Sequence, residues 1–159
     1  MNDKRIFELT GIKVIKEIEY ESKLLIINNI TNLLTQKIKT INYRQIKEKL
    51  LDTPIYLAEV PEQYYGVVYL HDNSTIYIDS TIDVLELSET VIHEFIHAIQ
   101  TKKDKKNNIQ KVGLCEFNEF KATGIGLNEA AVQYITSKIT NKEYKYVNKP
   151  KHIMKKDIH

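Results

Sequence analysis

Two histidines and a glutamate lie inside the apolar run VIHEFIHAI of residues 91–99. An α-helix has 3.6 residues per turn, so His93 and His97, four positions apart, project from the same face about 6 Å apart along the axis. Two imidazole rings at this spacing can bind one metal ion. Glu94 points to the space beside that ion, where a carboxylate can take a proton from a bound water molecule. The stretch therefore predicts a buried helix that carries two metal ligands and a general base.

Zinc is the ion expected at this helix. Neutral imidazole suits zinc, and a catalytic zinc site keeps one position open for water, whose pKa falls to about 7 when bound. The alternative is that His93 and His97 are packed core histidines. Burying two polar rings on one stripe of an apolar helix costs free energy unless both rings are satisfied. This cost favours metal binding.

A third protein ligand must come from elsewhere in the chain. Downstream of His97 the next histidine is His152, in a polar C-terminal segment. A carboxylate is therefore the better candidate. Three glutamates qualify, namely Glu116, Glu119 and Glu129. The surroundings of Glu116, residues 113–117, favour only a short helix.

Glu129 is the ligand that we expect. It opens a strong helical stretch that follows Gly124 and Gly126, and glycines before a helix let the chain turn sharply and approach a site closely. Glu129 would then lie on the first turn of a helix packed beside the active-site helix. Gln133 lies one turn later on the same face, and we expect it to support the ligands through the second ring nitrogen of a histidine.

The two motifs together resemble a known family. His93-Glu94-x-x-His97 followed by LNEAAVQY over residues 127–134 is similar to the gluzincin metallopeptidases, especially the small peptidase-MA-like group. The second helix of that group carries a leucine-asparagine-glutamate-glycine signature and a tyrosine five residues after the glutamate. The resemblance implies a zincin-like fold and a zinc cofactor held by His93, His97 and Glu129. It also implies peptide-bond hydrolysis with Glu94 as the general base.

The resemblance covers the chain from the β-rich runs to Ile139, and it has departures. Ala130 stands where a glycine is usual, and His97 is further from Glu129 than in the best-known gluzincins. Glu116 instead has the separation from His97 that is common in the aminopeptidase branch. The glycine-x-methionine-glutamate-asparagine exopeptidase motif of that branch is absent from the sequence, which favours an endopeptidase.

The order of the elements predicts an α+β fold. Residues 4–50 carry helical periodicity, and residues 55–60, 66–70 and 75–79 are β-rich, the last two runs separated by a turn-like segment at 71–74. We expect one domain over residues 1–141 and a polar basic tail over 142–159. The domain would contain a helical packing region (1–51), a small mixed or antiparallel sheet with an edge strand (55–79) and metal-site helices (80–141).

Three local expectations follow from the same reading. Ser80 is expected to cap the active-site helix, with Asp83 in its first turn. The very polar residues 101–111 are expected to form an exposed loop. An extended peptide would bind along an edge strand, either residues 66–70 or residues 75–79. The residue that stabilises the oxyanion of the reaction stays open among four candidates, namely Tyr64, Tyr65, His71 and Tyr134.

Composition limits the partners. The 23 basic and 21 acidic side chains nearly cancel to a net charge of +2, and no basic patch with interleaved aromatic residues predicts nucleic-acid binding. No long apolar segment predicts a membrane span or a signal peptide. The single cysteine, Cys115, excludes an internal disulfide and is compatible with a reducing compartment. We expect a cytoplasmic protein, or a secreted one if a leader has been removed, that acts on a peptide or protein substrate; its oligomeric state is not predicted.

A second function, from a different class, fits the same residues. The chain can be a zincin-fold metal-binding module that regulates or binds a partner, with weak or no turnover. The presence of Glu94 argues against this function, because a purely structural metal site needs no base. The length of 159 residues argues for it, because little chain remains to build substrate pockets.

Overall fold

The computed structural model describes residues 2–83, 85–103, 105–106, 109–112, 115–117 and 122–140, with the backbone alone at 109–112, 115–117, 122–123 and 125. The helices in this part of the chain are α1 (Asp3–Thr10), α2 (Tyr20–Lys37), α3 (Tyr43–Leu51), α4 (Glu89–Gln100) and α5 (Ile125–Thr140). The strands are β1 (Lys13–Glu17), β2 (Ile55–Glu59), β3 (Val67–Leu70), β4 (Thr75–Asp79), β5 (Thr101–Lys103), β6 (Ile109–Val112), β7 (Cys115–Phe117) and β8 (Ala122–Thr123). The predicted α+β class is confirmed.

The first four strands form a mixed sheet with the order β1-β2-β4-β3. β2 and β4 are parallel, whereas β1 and β3 each pair antiparallel with their neighbour. The predicted hairpin of β3 and β4 is confirmed, and Tyr69 lies opposite Ile76 in it. β3 is therefore an edge strand, while β4 has a neighbour on each side. Of the two strands proposed for peptide binding, β3 is the one with an edge that no other described strand covers.

Alternate side chains of β3 point into two different cores. Val67 and Tyr69 join a large core with residues of α2, α3, α4 and α5. Val68 and Leu70 join a smaller core on the opposite face, which Ile6 of α1 covers. This alternation is the two-residue period of a strand that is buried on both faces. The N-terminal helices thus pack on opposite faces of the sheet, α1 on one side and α2 and α3 on the other.

The prediction that residues 4–50 are helical is wrong at β1. Gly11 ends α1 in the left-handed conformation (φ 78°), and its N–H donates to the carbonyl oxygen of Phe7 at 2.8 Å. Glycine commonly ends helices in this way because it has no Cβ to clash. The residues that follow then pair with β2, a partner more than 30 residues away that no local pattern reveals.

The helix that carries His93 and His97 begins later than the sequence pattern indicates. Ser80 does not cap it; α4 starts at Glu89, and the Ser88 hydroxyl oxygen accepts the N–H of Val91 at 3.3 Å. Between the two serines, the side chain of Asp83 accepts the N–H of Leu85 at 2.9 Å. Such local bonds from aspartate offer the backbone an alternative to helix, which explains the delayed start.

The expected loop at residues 101–111 contains two strands. β5 and β6 pair antiparallel and continue through β7 and β8 as a second sheet, in the order β5-β6-β7-β8. Lys102 and Lys103 of β5 are exposed, so polar composition marks a solvated strand here. The short helix expected at residues 113–117 is also wrong, because Cys115–Phe117 is β7.

No helix in the described ranges is long and apolar enough to cross a membrane. The predicted basic tail at residues 142–159 lies outside the described residues.

Candidate metal centre

Three of the predicted ligands come together between α4 and α5. The Nε2 atom of His97 lies 2.8 Å from Oε1 of Glu129, and the Nε2 atom of His93 lies 3.2 Å from Oε2 of the same carboxylate. The two Nε2 atoms are 3.1 Å apart. One ligand atom from each residue lies within 4.8 Å of the others. His93, His97 and Glu129 are therefore close enough to hold one metal ion.

The spacing and chemistry of these donors suit zinc. Two ligand atoms that each lie about 2.0–2.1 Å from a tetrahedral zinc ion are about 3.3 Å apart. The observed separations of 2.8–3.2 Å need only small outward shifts to reach that value. Two imidazoles and one carboxylate also leave a fourth tetrahedral position for water or substrate, as in catalytic zinc sites.

Burial prepares His97 to bind a metal. Its side chain is fully buried, and this burial lowers the pKa of the imidazole, while the hydrogen bond and charge of Glu129 act in the opposite direction. The lowered pKa favours the neutral ring, whose nitrogen lone pair is the metal donor.

Polar contacts join α4 to α5 along their length. Glu129 reaches both histidines, and one turn further along α5 the amide of Gln133 donates to the Glu89 carboxylate at 2.7 Å. Glu89 lies one turn before His93 on α4, so the two helices run in opposite directions along this contact. The predicted role of Gln133 beside a histidine ring is wrong, because Glu89 takes its amide. Glu129 lies in the second turn of α5, since that helix starts at Ile125 rather than after Gly126.

Asn128 occupies the position that we expected for Gln133. Its side-chain amide lies 3.4 Å from Nδ1 of His97 and is buried. When Nε2 of a histidine binds a metal, Nδ1 carries the hydrogen and needs an acceptor. The side-chain amide of an asparagine can rotate by about 180° so that its oxygen faces Nδ1, because the oxygen and nitrogen atoms of the amide are nearly equal in shape. Sequence reasoning missed this residue, although it directly precedes the expected ligand.

The carboxylate of Glu94 contacts the edge strand β3. Its Oε2 atom accepts the backbone N–H of Tyr69 at 2.9 Å, and its side chain is fully buried. Glu94 follows His93 directly on α4, so the carboxylate lies on the β3 side of the metal ligands. This backbone hydrogen bond fixes the position of the Oε2 atom of the carboxylate. No local signal could reveal this bond, because it depends on how β3 crosses α4.

Tyr69 also holds the C-terminal end of α4. The Thr101 hydroxyl donates to the carbonyl oxygen of His97 at 3.1 Å, and the Tyr69 hydroxyl therefore donates to Thr101 Oγ1, at 2.6 Å. The Lys49 ammonium group of α3 donates to the Thr101 carbonyl oxygen. Burial raises the pKa of Tyr69, which keeps its hydroxyl protonated as a donor. These bonds join α3, β3 and α4 beside His97.

Comparisons with protein-family models, with curated proteins and with solved structures found no match.

The other candidate ligands are not tested by this geometry. The backbone of Glu116 lies in β7, opposite Lys111 and Thr123. The Glu116 side chain and the whole of Glu119 fall outside what the structure describes.

The four candidates for oxyanion stabilisation are separated in space. His71, directly after β3, is buried, and its ring meets those of Tyr69 and His97 edge to face, with centroid distances of 5.1 and 5.7 Å. Tyr64 belongs to the smaller core on the α1 side of the sheet. Tyr65 and Tyr134 are about half exposed. Among these four candidates, His71 has a ring contact with the side chain of His97, one of the candidate metal ligands.

Proposed function

We propose that this protein is a zinc-dependent peptidase with a zincin-like fold of the gluzincin type, and that it acts as an endopeptidase. The observation that carries the proposal is the convergence of His93, His97 and Glu129 beside the buried carboxylate of Glu94. The mixed sheet adds support, because its antiparallel edge strand β3 contacts the helix that bears both histidines. A cytoplasmic location fits the single cysteine.

The chain's own residues divide the chemistry between them. A bound zinc ion would polarise the scissile carbonyl and lower the pKa of a water molecule. Glu94 takes a proton from that water as the water oxygen forms a bond to the carbonyl carbon. Glu94 then gives the proton to the leaving nitrogen as the C–N bond breaks, which yields a carboxylate and an amine. The N–H of Tyr69 holds the Glu94 carboxylate in place for both transfers.

A peptide substrate fits the free edge of β3. The carbonyl oxygen of Gly66 accepts the N–H of Asp79, so even-numbered residues of this segment pair with β4. Odd-numbered residues direct their backbone groups outward, as the bond from Tyr69 N–H to Glu94 illustrates. The N–H and carbonyl of Val67 and the carbonyl of Tyr69 are thus directed toward the position of an added strand.

Metal analysis tests the proposal first. We expect about one zinc per chain in gently purified protein, lost in Glu129→Ala and kept in Glu116→Ala, the matched control. The zinc-loaded protein should then cleave members of a quenched-fluorescent peptide library, and Glu94→Gln should keep zinc but lose cleavage. Absence of zinc from the wild type, even after zinc is added back, would overturn the proposal.

A second candidate function is favoured by one observation. His93, Glu94 and His97 are at most 2% exposed, and Glu129, at 25% side-chain exposure, is the most accessible of the four. A centre that is this enclosed gives a substrate little access, which favours a metal-binding regulatory or interaction module with little turnover. The same Glu94→Gln variant separates the two functions. A biological activity that survives this substitution but not Glu129→Ala assigns the metal an architectural role.

A further inference from the structure

His71 lies on the same side of the metal ligands as Glu94. Along β3 the side chains of Val67 and Tyr69 point toward α4, and His71 continues this alternation two residues later. Its ring contacts that of Tyr69, whose backbone N–H binds Glu94, and that of the ligand His97. Glu94 and His71 therefore both lie where β3 meets α4, beside His97.

His71 stands beside the metal ligands without being one of them. The described groups whose donor atoms converge within 4.8 Å are those of His93, His97 and Glu129, and His71 is not among them. At 4% exposure, His71 is nearly as buried as His93 and His97. A neutral imidazole always carries one N–H, so this ring can donate a hydrogen bond in either tautomer.

The three tyrosines that could serve the same purpose lie elsewhere. Tyr64 is on the opposite face of the sheet. Tyr65 precedes β3 and is 52% exposed, whereas His71 follows the other end of that strand and is buried. Tyr134 lies about 140° around α5 from Glu129, where Lys138 Nζ is 5.3 Å from its ring centroid.

We propose that His71 is a catalytic residue of the peptidase reaction, whose imidazole N–H donates a hydrogen bond to the carbonyl oxygen of the scissile peptide. The proposal rests on the peptidase function. As water adds to the carbonyl carbon, the carbonyl π electrons move to oxygen, and the bond from His71 strengthens as negative charge develops there. A donor fixed in a buried site stabilises that charge more than water does, because it needs no reorientation during the reaction.

Two substitutions separate this role from packing. His71→Phe keeps a ring against Tyr69 and His97 but removes the donor, whereas His71→Gln keeps a donor N–H. With the library peptide that the wild type cleaves best, we expect His71→Phe to lower kcat by about 100-fold with little change in KM. His71→Gln should recover part of the loss. Tyr20→Phe, the matched control that removes a hydroxyl from an exposed tyrosine of α2, should cleave normally.

Ligand binding gives a readout that does not depend on turnover. Acetohydroxamate binds zinc through two oxygens, and its absorbance titration against cobalt-substituted protein reports the open metal position. We expect its affinity to fall about tenfold in His71→Phe and to recover in His71→Gln, because a hydrogen bond to a charged oxygen is lost and regained.

Unchanged kcat and hydroxamate affinity in His71→Phe would overturn the proposal. Equal losses in both variants, with lower zinc content or melting temperature, would also overturn it, since they would assign His71 to packing. A zinc-loaded wild type that cleaves no peptide would refute the peptidase function instead. In that case the hydroxamate titration alone decides whether His71 faces the metal.

Discussion

At the scale of single residues, the outer partners of the ligands decide how well the site holds a metal. Asn128 meets His97 through a buried amide, whereas Gln133 contacts Glu89, away from the rings. An outer hydrogen bond fixes the tautomer and orientation of a ligand histidine, so its loss weakens metal binding by about 10- to 100-fold.

Asn128→Ala should therefore lower zinc affinity by about 10-fold or more. Chelator competition on the purified variant measures this change. Gln133→Ala is the control on the same helix and should retain nearly full affinity. Equal affinities in the two variants would contradict the assignment of Asn128 to His97.

Residue identity explains which site residues could be inferred from the sequence. His93 and His97 can be predicted as a pair of ligands because helix geometry alone places residues four apart on one face. Glu129 can be predicted as the third ligand because its carboxylate is a suitable metal donor and its neighbours in sequence favour a helix. The role expected for Gln133 belongs to Asn128. The sequence does not reveal this, because packing against α4 sets the rotation of α5 about its own axis.

At the scale of secondary-structure elements, Tyr69 joins β3 to α4 at two points, at Glu94 and at the C-terminal end of the helix. Its backbone N–H binds Glu94, and its hydroxyl binds Thr101 at the C-terminal end of the helix. Thr101 in turn donates to the His97 carbonyl oxygen. The Tyr69 backbone and hydroxyl thus add two hydrogen-bonded links to the apolar packing that positions the edge strand against α4.

Removal of the Tyr69 hydroxyl tests this connection. Tyr69→Phe should lower the free energy of unfolding by about 1 kcal/mol, the usual net value of one hydrogen bond. Thr101→Val should cost about 1–3 kcal/mol, because it removes two bonds and leaves the buried Tyr69 hydroxyl without its acceptor. Urea unfolding of the zinc-loaded proteins gives both values. A Thr101→Val variant as stable as Tyr69→Phe would show that the Thr101 hydroxyl contributes nothing of its own.

Elements whose identity depends on distant partners were the ones mispredicted. β1 is a strand because β2 lies beside it, and β5 and β6 are strands because they pair with each other across polar residues. β3 and β4, by contrast, have β-branched and aromatic side chains buried on both faces, so their pattern was clear without knowledge of the partner.

At the scale of the whole molecule, the three candidate metal ligands come from distant parts of the chain. His93 and His97 lie on α4 and Glu129 on α5, with the second sheet between them in sequence. Any ligand that binds only the folded state stabilises it, by about 2.7 kcal/mol when its free concentration is 100 times its Kd. Zinc should therefore contribute measurably to stability.

Removal of the metal should lower the melting temperature. For a chain of this size, about 2.7 kcal/mol corresponds to roughly 5–10 °C. Thermal unfolding with zinc and with a chelator measures the shift. Glu129→Ala should melt at the same temperature under both conditions, and Glu116→Ala should retain the shift. A chelator-sensitive Glu129→Ala variant would contradict Glu129 as a ligand.

An ion held by His93, His97 and Glu129 would link α4 to α5 and act as a reversible cross-link that closes the chain segment containing the second sheet. A covalent link that closes a loop of about 30 residues restricts the unfolded chain by about 3–4 kcal/mol. If a protease cut the backbone between β5 and β6, the ligands would then lie on two separate polypeptides, α4 on one and α5 on the other. A bound ion would still join them and add to the core contacts between α5 and α4, so we expect the two pieces to dissociate more readily in the presence of a chelator.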